Sequence, residues 1–363
     1  MRMELSLRTA RWRRLLTLAL LFGFGPVVVA TAARASTPAP GSWSIERQRP
    51  ASEPVTLAAV SCPSATECLA SSGGALVATT DGGRRWRTTH LPKGVVKLGG
   101  ISCPTTSHCW LVGFTSDDPS TGVLLATTNT GKTWGTETIP SGLEGLWGAV
   151  SCADVSHCWA LIPVGSGNGT SAIATTDGGG TWTVQSLDIG GYASLTDMAC
   201  PTRVRCSMAT SIANPHFDGY IGRTTDGGRT WKTGQTAAAD FESVSCPTAT
   251  HCWAVGVDNA DTTGLVFATG DGGRTWEPEN VPGATAKLEG ISCPSTSDCT
   301  AVGQSGVIAT TDGGSTWTSE VLPAGVLGVQ GVSCPPAPCV AVGYTATDAV
   351  ILGQQSSQAR GRA

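Results

Sequence analysis

Fourteen cysteines are the residues of this 363-residue sequence whose type and spacing most clearly suggest chemistry. They fall in seven pairs, six with five residues between the partners and one with four. Such pairs form disulfides in exported proteins or contribute to zinc sites. The residue before the second cysteine is histidine in only three pairs, so a repeated zinc site is disfavoured. The predicted disulfides are Cys62 with Cys68, Cys103 with Cys109, Cys152 with Cys158, Cys200 with Cys206, Cys246 with Cys252, Cys293 with Cys299, and Cys334 with Cys339.

A second group of residues could perform acid/base chemistry or polar recognition. Two carboxylates facing each other across a cleft are the machinery of a glycosidase. Here the acids form no local motif, so we interpret them as loop side chains on a candidate binding face and predict no catalytic residue. The loop members of this face are Asp117, Asp118, His216, Asp218, Tyr220, Asp258 and Asp261. No cofactor and no metal site are predicted.

An eight-residue pattern, of the form TTDGGRTW, recurs six times in phase with the cysteine pairs. Its acidic side chain can accept backbone N–H bonds across a turn, and glycine takes positive φ without a steric penalty. Because Asn129 keeps only the acceptor oxygen, we interpret this position as structural. The six acceptor residues are Asp81, Asn129, Asp177, Asp226, Asp271 and Asp312.

These motifs must be positioned by a repeated unit of 41 to 49 residues, a period typical of propeller blades. Each unit reads as four short strands joined by hairpins, which predicts an all-β, seven-bladed β-propeller with four antiparallel strands per blade. The seventh unit lacks the turn pattern, whereas the segment at residues 41–49 resembles a fourth strand that follows one. We therefore predict that this N-terminal strand completes the last blade.

The innermost strand of each unit carries an apolar residue followed by a variable position. The variable position is expected to face the axial channel and to give one side of its mouth a polar, acidic lining. Its members are Ala58, Gly99, Gly148, Thr196, Glu242, Glu289 and Gln330. We assign Glu242 and Glu289 to the candidate binding face. Three tryptophans that follow a second cysteine, Trp110, Trp159 and Trp253, are expected to pack between blades or to stack on carbohydrate.

The turn pattern resembles the Asp box of the BNR-repeat β-propellers, a superfamily that includes sialidases, xyloglucanases, sortilin-type receptors and photosystem II assembly factors. The copy from Thr224 to Trp231 shows the pattern in full. The resemblance implies the propeller fold and a structural role for the box. It leaves function open, because the superfamily includes hydrolases, receptors and chaperones. The Phe/Tyr-Arg-Ile-Pro signature of sialidases does not occur in the sequence.

The first residues have the layout of an export signal: a basic segment, an apolar run from Leu15 to Ala30, and Ala33-Arg34-Ala35. We predict a signal peptide at 1–35, a single propeller at 36–352 and a disordered tail at 353–363. Removal of 1–35 leaves 17 basic and 26 acidic side chains. This balance disfavours nucleic acid as a partner.

The hypothesis from sequence is a secreted, monomeric, non-catalytic propeller that binds a protein or carbohydrate ligand at the cell surface, with no stable membrane insertion. The alternative is a glycoside hydrolase, sialidase- or xyloglucanase-like, that uses loop carboxylates. A photosystem II assembly role is disfavoured by the acidic balance.

Overall fold

Short runs of valine, isoleucine, leucine and threonine, interrupted by glycine turns, give this chain strands of two to ten residues. The computed structural model describes residues 41–355 except 51–58, 73–74, 116–121, 141–147, 164–169, 188–192, 213–218, 236–238, 259, 261, 284, 305 and 336–337. Within these ranges every regular element is a strand. The strands form seven four-stranded antiparallel sheets, which confirms the predicted seven-bladed β-propeller.

We number the blades along the chain and give their strands from the axis outward. Blade 1 has β2 (Val60–Ser61), β3 (Cys68–Ser72), β4 (Ala75–Thr79) and β5 (Arg87–Thr88); blade 2 has β6 (Lys97–Ser102), β7 (Cys109–Phe114), β8 (Gly122–Thr127) and β9 (Gly135–Thr136); blade 3 has β10 (Val150–Cys152), β11 (Cys158–Pro163), β12 (Thr170–Thr175) and β13 (Thr183–Leu187). Blade 4 has β14 (Ala193–Thr202), β15 (Arg205–Ile212), β16 (Tyr220–Thr224) and β17 (Lys232–Gln235); blade 5 has β18 (Ala239–Ser245), β19 (Cys252–Asp258), β20 (Gly264–Thr269) and β21 (Glu277–Pro278). Blade 6 has β22 (Leu288–Ser292), β23 (Cys299–Gly303), β24 (Gly306–Thr310) and β25 (Thr318–Glu320); blade 7 has β26 (Val326–Ser333), β27 (Val340–Thr345), β28 (Asp348–Gln354) and, outermost, β1 (Trp43–Pro50).

The N-terminal strand closes the ring, as predicted. It pairs antiparallel with β28, from Trp43 opposite Gln354 to Pro50 opposite Asp348. The innermost strands of neighbouring blades contact one another around the axis, including those of blades 7 and 1. The last strand ends at Gln354, beyond the predicted tail boundary at Leu352, because the Gln354 N–H donates to the Cys339 carbonyl at 2.9 Å.

All fourteen cysteines form the seven predicted disulfides, so the zinc alternative is wrong. Each bridge closes the loop between the first and second strands of a blade. Seven disulfides indicate an oxidising compartment.

A ring of serines joins the blades beside the disulfides. In six of the seven blades a serine precedes the first cysteine, and its hydroxyl accepts the N–H of the corresponding cysteine in the next blade at 3.0 to 3.1 Å. Ser61, Ser102, Ser151, Ser245, Ser292 and Ser333 form this ring. The seventh position holds Ala199, so the boundary between blades 4 and 5 lacks the bond.

The Asp-Gly-Gly turns connect the third and fourth strands of blades 1 to 6. In blade 4, the Thr224 hydroxyl donates to Asp226 at 2.8 Å and accepts the Gly228 N–H at 2.9 Å. Asp226 also accepts the Thr230 N–H at 3.0 Å. The Thr230 hydroxyl donates to the other Asp226 oxygen at 2.6 Å. This bond, with the Thr230 N–H and the Thr224 hydroxyl, lowers the pKa of Asp226 to about 2. In all six blades, a turn N–H also donates to a carbonyl of the disulfide loop, so both features lie on one face.

Blade 2 provides a test of backbone strain in this turn. Thr130 has φ of 64° at the position where the other five turns carry glycine. A left-handed conformation costs a β-branched residue about 1–2 kcal/mol. We therefore expect Thr130→Gly to raise the free energy of unfolding by about 1 kcal/mol in denaturant titrations. The reciprocal variant Gly313→Thr should lower it, and equal stability of both variants and the wild type would contradict the strain argument.

Glutamates in or directly after four outer strands bridge to the next blade. At each bridge a carboxylate accepts the indole N–H of the tryptophan that follows the neighbouring turn; in blade 7, whose outer strand is β1, that tryptophan is Trp43. The pairs are Glu46 with Trp86 at 3.2 Å, Glu137 with Trp182 at 3.3 Å, Glu279 with Trp317 at 2.7 Å, and Glu320 with Trp43 at 2.7 Å. Burial raises the pKa of all four glutamates. We call these contacts the glutamate–indole bridges.

The bridge at Glu137 predicts a pH dependence of stability. Burial raises the pKa of Glu137 in the folded protein, which favours the protonated carboxyl. The resulting contribution of Glu137 to the free energy of unfolding is therefore largest below the ordinary pKa of 4.5 and is lost as pH rises through the folded pKa. Glu137→Gln keeps an acceptor oxygen and does not titrate. Chemical denaturation at pH 4 and pH 7 should show that the variant gains stability relative to wild type at the higher pH. The surface variant Glu277→Gln controls for loss of one carboxylate, and an equal gain there would refute the assignment.

Trp110, Trp159 and Trp253 are 1 to 3% exposed, and each packs against residues of the following blade. They therefore pack between blades, and the carbohydrate-stacking alternative is wrong for these three residues. Trp43, Trp134, Trp182, Trp231 and Trp317 are also buried.

Candidate functional site

A cavity of about 630 Å³ lies where the seven innermost strands meet. Six of the seven variable positions line it, and the seventh, Ala58, is outside the described residues. The cavity is therefore built from equivalent positions around the axis.

β-bulges explain why these side chains reach the cavity. In β14, Leu195 pairs with Thr210 of β15, and Asp197 pairs with the adjacent β15 residue, Ala209. Thr196 is therefore an extra residue that has no partner in the ladder. The same register shift occurs at Glu242, Glu289 and Gln330. A bulge re-aims a side chain and is often found beside functional sites. The signal in the sequence is a spacing of three between apolar residues, as in Leu195 and Met198, where a regular strand would have two.

The cavity wall is divided into two chemically different halves. Blades 1 to 3 contribute alanine, valine, isoleucine and glycine. Among the described residues, blades 4 to 7 contribute every hydrogen-bonding or charged side chain of the lining: Thr196, Asp197, Glu242, Ser243, Lys287, Glu289 and Gln330. A ligand in this cavity would meet an apolar wall on one side and a polar wall on the other.

Three charged side chains lie together on blades 5 and 6. Lys287 Nζ contacts Glu242 Oε1 at 2.7 Å, with both side chains 27% exposed. Glu289 accepts a hydrogen bond from Gln304 Nε2 at 3.3 Å. Burial, with a smaller repulsion from Glu242, raises the pKa of Glu289, although Gln304 and Lys287 oppose the shift. This cluster can neutralise one positive group or accept hydrogen bonds from hydroxyls.

Asp197 is a site residue that sequence reasoning missed. Its Oδ2 accepts the Ser243 hydroxyl at 2.6 Å and the Val244 N–H at 3.0 Å, across the boundary between blades 4 and 5. Burial raises the pKa of this carboxyl. An alignment of the seven units could have identified Asp197, because the equivalent positions of the other units hold only glycine, alanine or serine. Asp197 thus connects the two blades that lack the serine-ring bond.

The loop members of the candidate binding face are largely beyond the described residues. Asp117, Asp118, His216, Asp218 and Asp261 lie outside them. Tyr220 begins β16 and is half-buried. Asp258 ends β19 and accepts the Thr262 N–H at 2.8 Å and the Thr263 N–H at 3.1 Å. These bonds lower the pKa of Asp258, and its carboxylate shapes the loop rather than lining the cavity.

The described part of the chain contains no cluster of three histidine, cysteine or acidic side chains suited to a metal ion. None of its elements is a helix with the length and apolar character of a membrane span.

The fold is shared with known propellers. YCF48 from Cyanidioschyzon merolae superposes with a TM-score of 0.63 at 14% identity, covering 86% of this chain and 98% of that one. A structure of YCF48 bound to D1 peptide gives 0.62 at 14%, covering 87% and 97%. The GH74 xyloglucanase from Xanthomonas campestris gives 0.61 at 13%, covering 84% of this chain and 52% of that one.

No protein-family model matches the sequence, and no curated protein matches it. The structural similarities, at 13 to 14% identity, concern the fold. By these comparisons and its seven four-stranded sheets, the chain is a β-propeller similar in fold to YCF48 and GH74 propellers.

Proposed function

We propose that this chain is an exported, non-catalytic propeller that binds a protein or glycan ligand at the cell surface through its axial cavity. The observation that carries the proposal is the division of the cavity, in which bulged residues of blades 4 to 7 place polar side chains opposite an apolar wall. A concave site with a few convergent polar groups suits specific recognition. Rigid, disulfide-closed blades support it.

The fold neighbours are consistent with both ligand classes. YCF48 has been captured with a peptide, and the GH74 protein is a xyloglucanase. At 13 to 14% sequence identity these similarities concern the fold, and the array experiments below measure the ligand class.

The export part of the proposal rests on the seven disulfides and on the composition of residues 1–35. We propose cleavage after Ala35, a monomeric mature protein, a short C-terminal tail, and a structural role for the Asp-box turns. Intact mass of the exported protein, with and without reductant, tests cleavage and disulfides together. A mass that includes residues 1–35, or the presence of fourteen free thiols, would contradict the proposal that the protein is exported, cleaved and oxidised.

Binding is tested by screening the exported protein on glycan and peptide arrays and measuring affinities of the hits. Glu289→Gln and Gln330→Ala change the polar wall and are expected to weaken binding about tenfold each, the loss of about one good hydrogen bond. Glu277→Gln, on the outer strand β21, is the matched control. If the ligands found on the arrays bind all three variants with wild-type affinity, recognition takes place outside the polar wall of the cavity.

A glycoside hydrolase is the second candidate, and one observation favours it. Glu289, with its raised pKa, stands in the same cavity as Glu242, an arrangement seen for the acid and base of glycosidases. The ion pair between Glu242 and Lys287 argues against hydrolase activity, because Lys287 occupies one of the two carboxylates. Release of sugar from xyloglucan oligosaccharides or sialyllactose, abolished in Glu289→Gln, would replace the binding proposal by this one.

A further inference from the structure

The axial cavity holds more negative than positive side chains. Its described lining contains three carboxylates, Asp197, Glu242 and Glu289, and one cationic side chain, Lys287. Lys287 Nζ contacts Glu242 Oε1 at 2.7 Å, and the Asp197 carboxyl accepts hydrogen bonds from blade 5. Glu289 forms no ion pair with another described residue. Its carboxylate is therefore the one in this lining that has neither a cation in contact nor a hydrogen bond across a blade boundary.

Glu289 is placed where a ligand can reach it. It is the extra residue of a β-bulge in β22, lines the cavity and is half-buried. Its hydrogen bond comes from the neutral amide of Gln304, at 3.3 Å. Burial raises the pKa of Glu289, so its surroundings disfavour the charged form as long as no counter-charge is in contact. A positive group that enters the cavity would gain an ion pair here without breaking an existing one.

The next blade adds an amide that the fold leaves without a partner. Gln330 occupies the equivalent bulge of β26 and lines the cavity. Its Oε1 atom is buried and has no donor among the described residues. A peptide group carries both an N–H and a carbonyl, so it can complement this side chain in either orientation of the terminal amide. Glu289 and Gln330 thus present a charged acceptor and an amide side by side on adjacent blades.

The opposite wall favours a flexible apolar stem over a sugar ring. Blades 1 to 3 present glycine and aliphatic side chains such as Ala59, Val60 and Ile101. No aromatic side chain occurs among the described residues of the lining, so the cavity has no ring there for a sugar to stack on. The methylene stems of lysine and arginine pack on aliphatic surface while their charged ends reach a polar group. A neutral sugar would instead desolvate Glu289 without compensating its charge.

Resting on the proposed binding function, we propose that the ligand of the axial cavity is a segment of a partner protein that presents a lysine or arginine side chain. The cationic end of this side chain pairs with Glu289, and its stem packs against the wall formed by blades 1 to 3. The backbone of the segment hydrogen-bonds to Gln330. A cavity of about 630 Å³ has room for such a side chain together with its flanking peptide groups.

Tripeptides that differ only in one charge test the cation requirement. In NMR titrations, acetyl-Ala-Lys-Ala-amide and acetyl-Ala-Arg-Ala-amide should bind saturably. The same peptide with Nε-acetyl-lysine should bind at least tenfold more weakly, because it lacks the charge-assisted hydrogen bond. Glu289→Gln should abolish this preference by weakening the lysine peptide at least tenfold, whereas the exposed control Glu277→Gln keeps it. Equal affinity of the wild type for the charged and the acetylated peptide would overturn the proposal.

Lys287→Gln provides a test by gain of affinity. This variant removes the chain's own cation from the described lining and leaves the Glu242 carboxylate open to the ligand. The lysine peptide should then bind about fivefold more tightly, the gain expected from one further ion pair at a half-exposed site. The affinity for the acetylated peptide should not change. Weaker binding of the lysine peptide to Lys287→Gln than to wild type would contradict the proposed role of the carboxylates.

Two further probes identify the source of the cation. n-Butylammonium has the stem and charge of lysine but no peptide group, so it should bind at least tenfold more weakly than the lysine peptide. Equal affinity would overturn the protein partner and assign the cavity to a free amine. A glucosamine trimer that binds with the same variant pattern, in place of the peptides, would assign it to a cationic glycan and also overturn the protein partner.

The array ligands separate this inference from the proposed function. We expect them to be peptides with lysine or arginine that Glu289→Gln and Gln330→Ala both weaken. Neutral ligands that are weakened by these two variants would overturn the inference and leave the axial binding site standing. Ligands that neither variant weakens would contradict the binding proposal itself.

Discussion

Replacing Trp43 by alanine is expected to lower the free energy of unfolding by about 3–5 kcal/mol, the usual cost of removing a buried tryptophan. Trp43 is 5% exposed and packs with Val350 and Leu352 of β28. Its indole N–H also donates to Glu320 in blade 6. The residue therefore ties the outer strand of the last blade both to its own sheet and to the preceding blade.

The control for this prediction is Ile45→Ala on the same strand, because Ile45 is 36% exposed. Denaturant unfolding gives the free energy of unfolding of both variants and of the wild type. The comparison distinguishes the loss of ring closure in Trp43→Ala from a general effect of substituting a residue of β1. A loss of less than about 1 kcal/mol for Trp43→Ala would show that the N-terminal strand is not needed for the closed ring.

Asp197→Ala is expected to destabilise the protein by about 2 kcal/mol, because the Ser243 hydroxyl and the Val244 N–H lose their acceptor. Blades 4 and 5 would then have neither this contact nor a serine-ring bond. Adding Ala199→Ser should recover about 1 kcal/mol by supplying the hydroxyl for the Cys246 N–H. Thermal and denaturant unfolding of the single and double variants measure both effects.

Asp197→Asn distinguishes a hydrogen-bonding role from a charge role. The amide oxygen can still accept the Val244 N–H, and the side chain does not titrate. Because burial raises the folded pKa of Asp197, the wild type should lose stability relative to Asp197→Asn as pH rises through that value. A pH-independent difference between the two proteins would show that the carboxyl is not protonated preferentially in the fold.

The architecture could be predicted because it is repeated. Seven cysteine pairs and six turns in one phase define the number of blades, and the resemblance of the segment around Trp43 to a fourth strand identifies the closing strand. The disulfide pairing followed from short spacing within hairpins. These features depend on local sequence, so they can be predicted without knowledge of long-range contacts.

The candidate site was only partly predictable. The variable position was identified, but the β-bulge that aims Glu242 and Glu289 into the cavity, and Asp197 beside it, was overlooked. Contacts between blades, such as Asp197 with Ser243, join residues 46 apart in sequence, so no single unit shows them. Only an alignment of the seven units makes Asp197 stand out, because the other units hold glycine, alanine or serine there. The glutamate–indole bridges were missed for the same reason, since each joins two different repeats.

A crystal structure of the exported protein with its tightest array ligand would show directly where recognition takes place. Ligand atoms are expected inside the axial cavity, within hydrogen-bond distance of Glu242, Glu289 or Gln330 and packed against the wall formed by blades 1 to 3. A ligand seated on the Asp-Gly-Gly turns or the outer strands, with the cavity holding only solvent, would contradict this expectation.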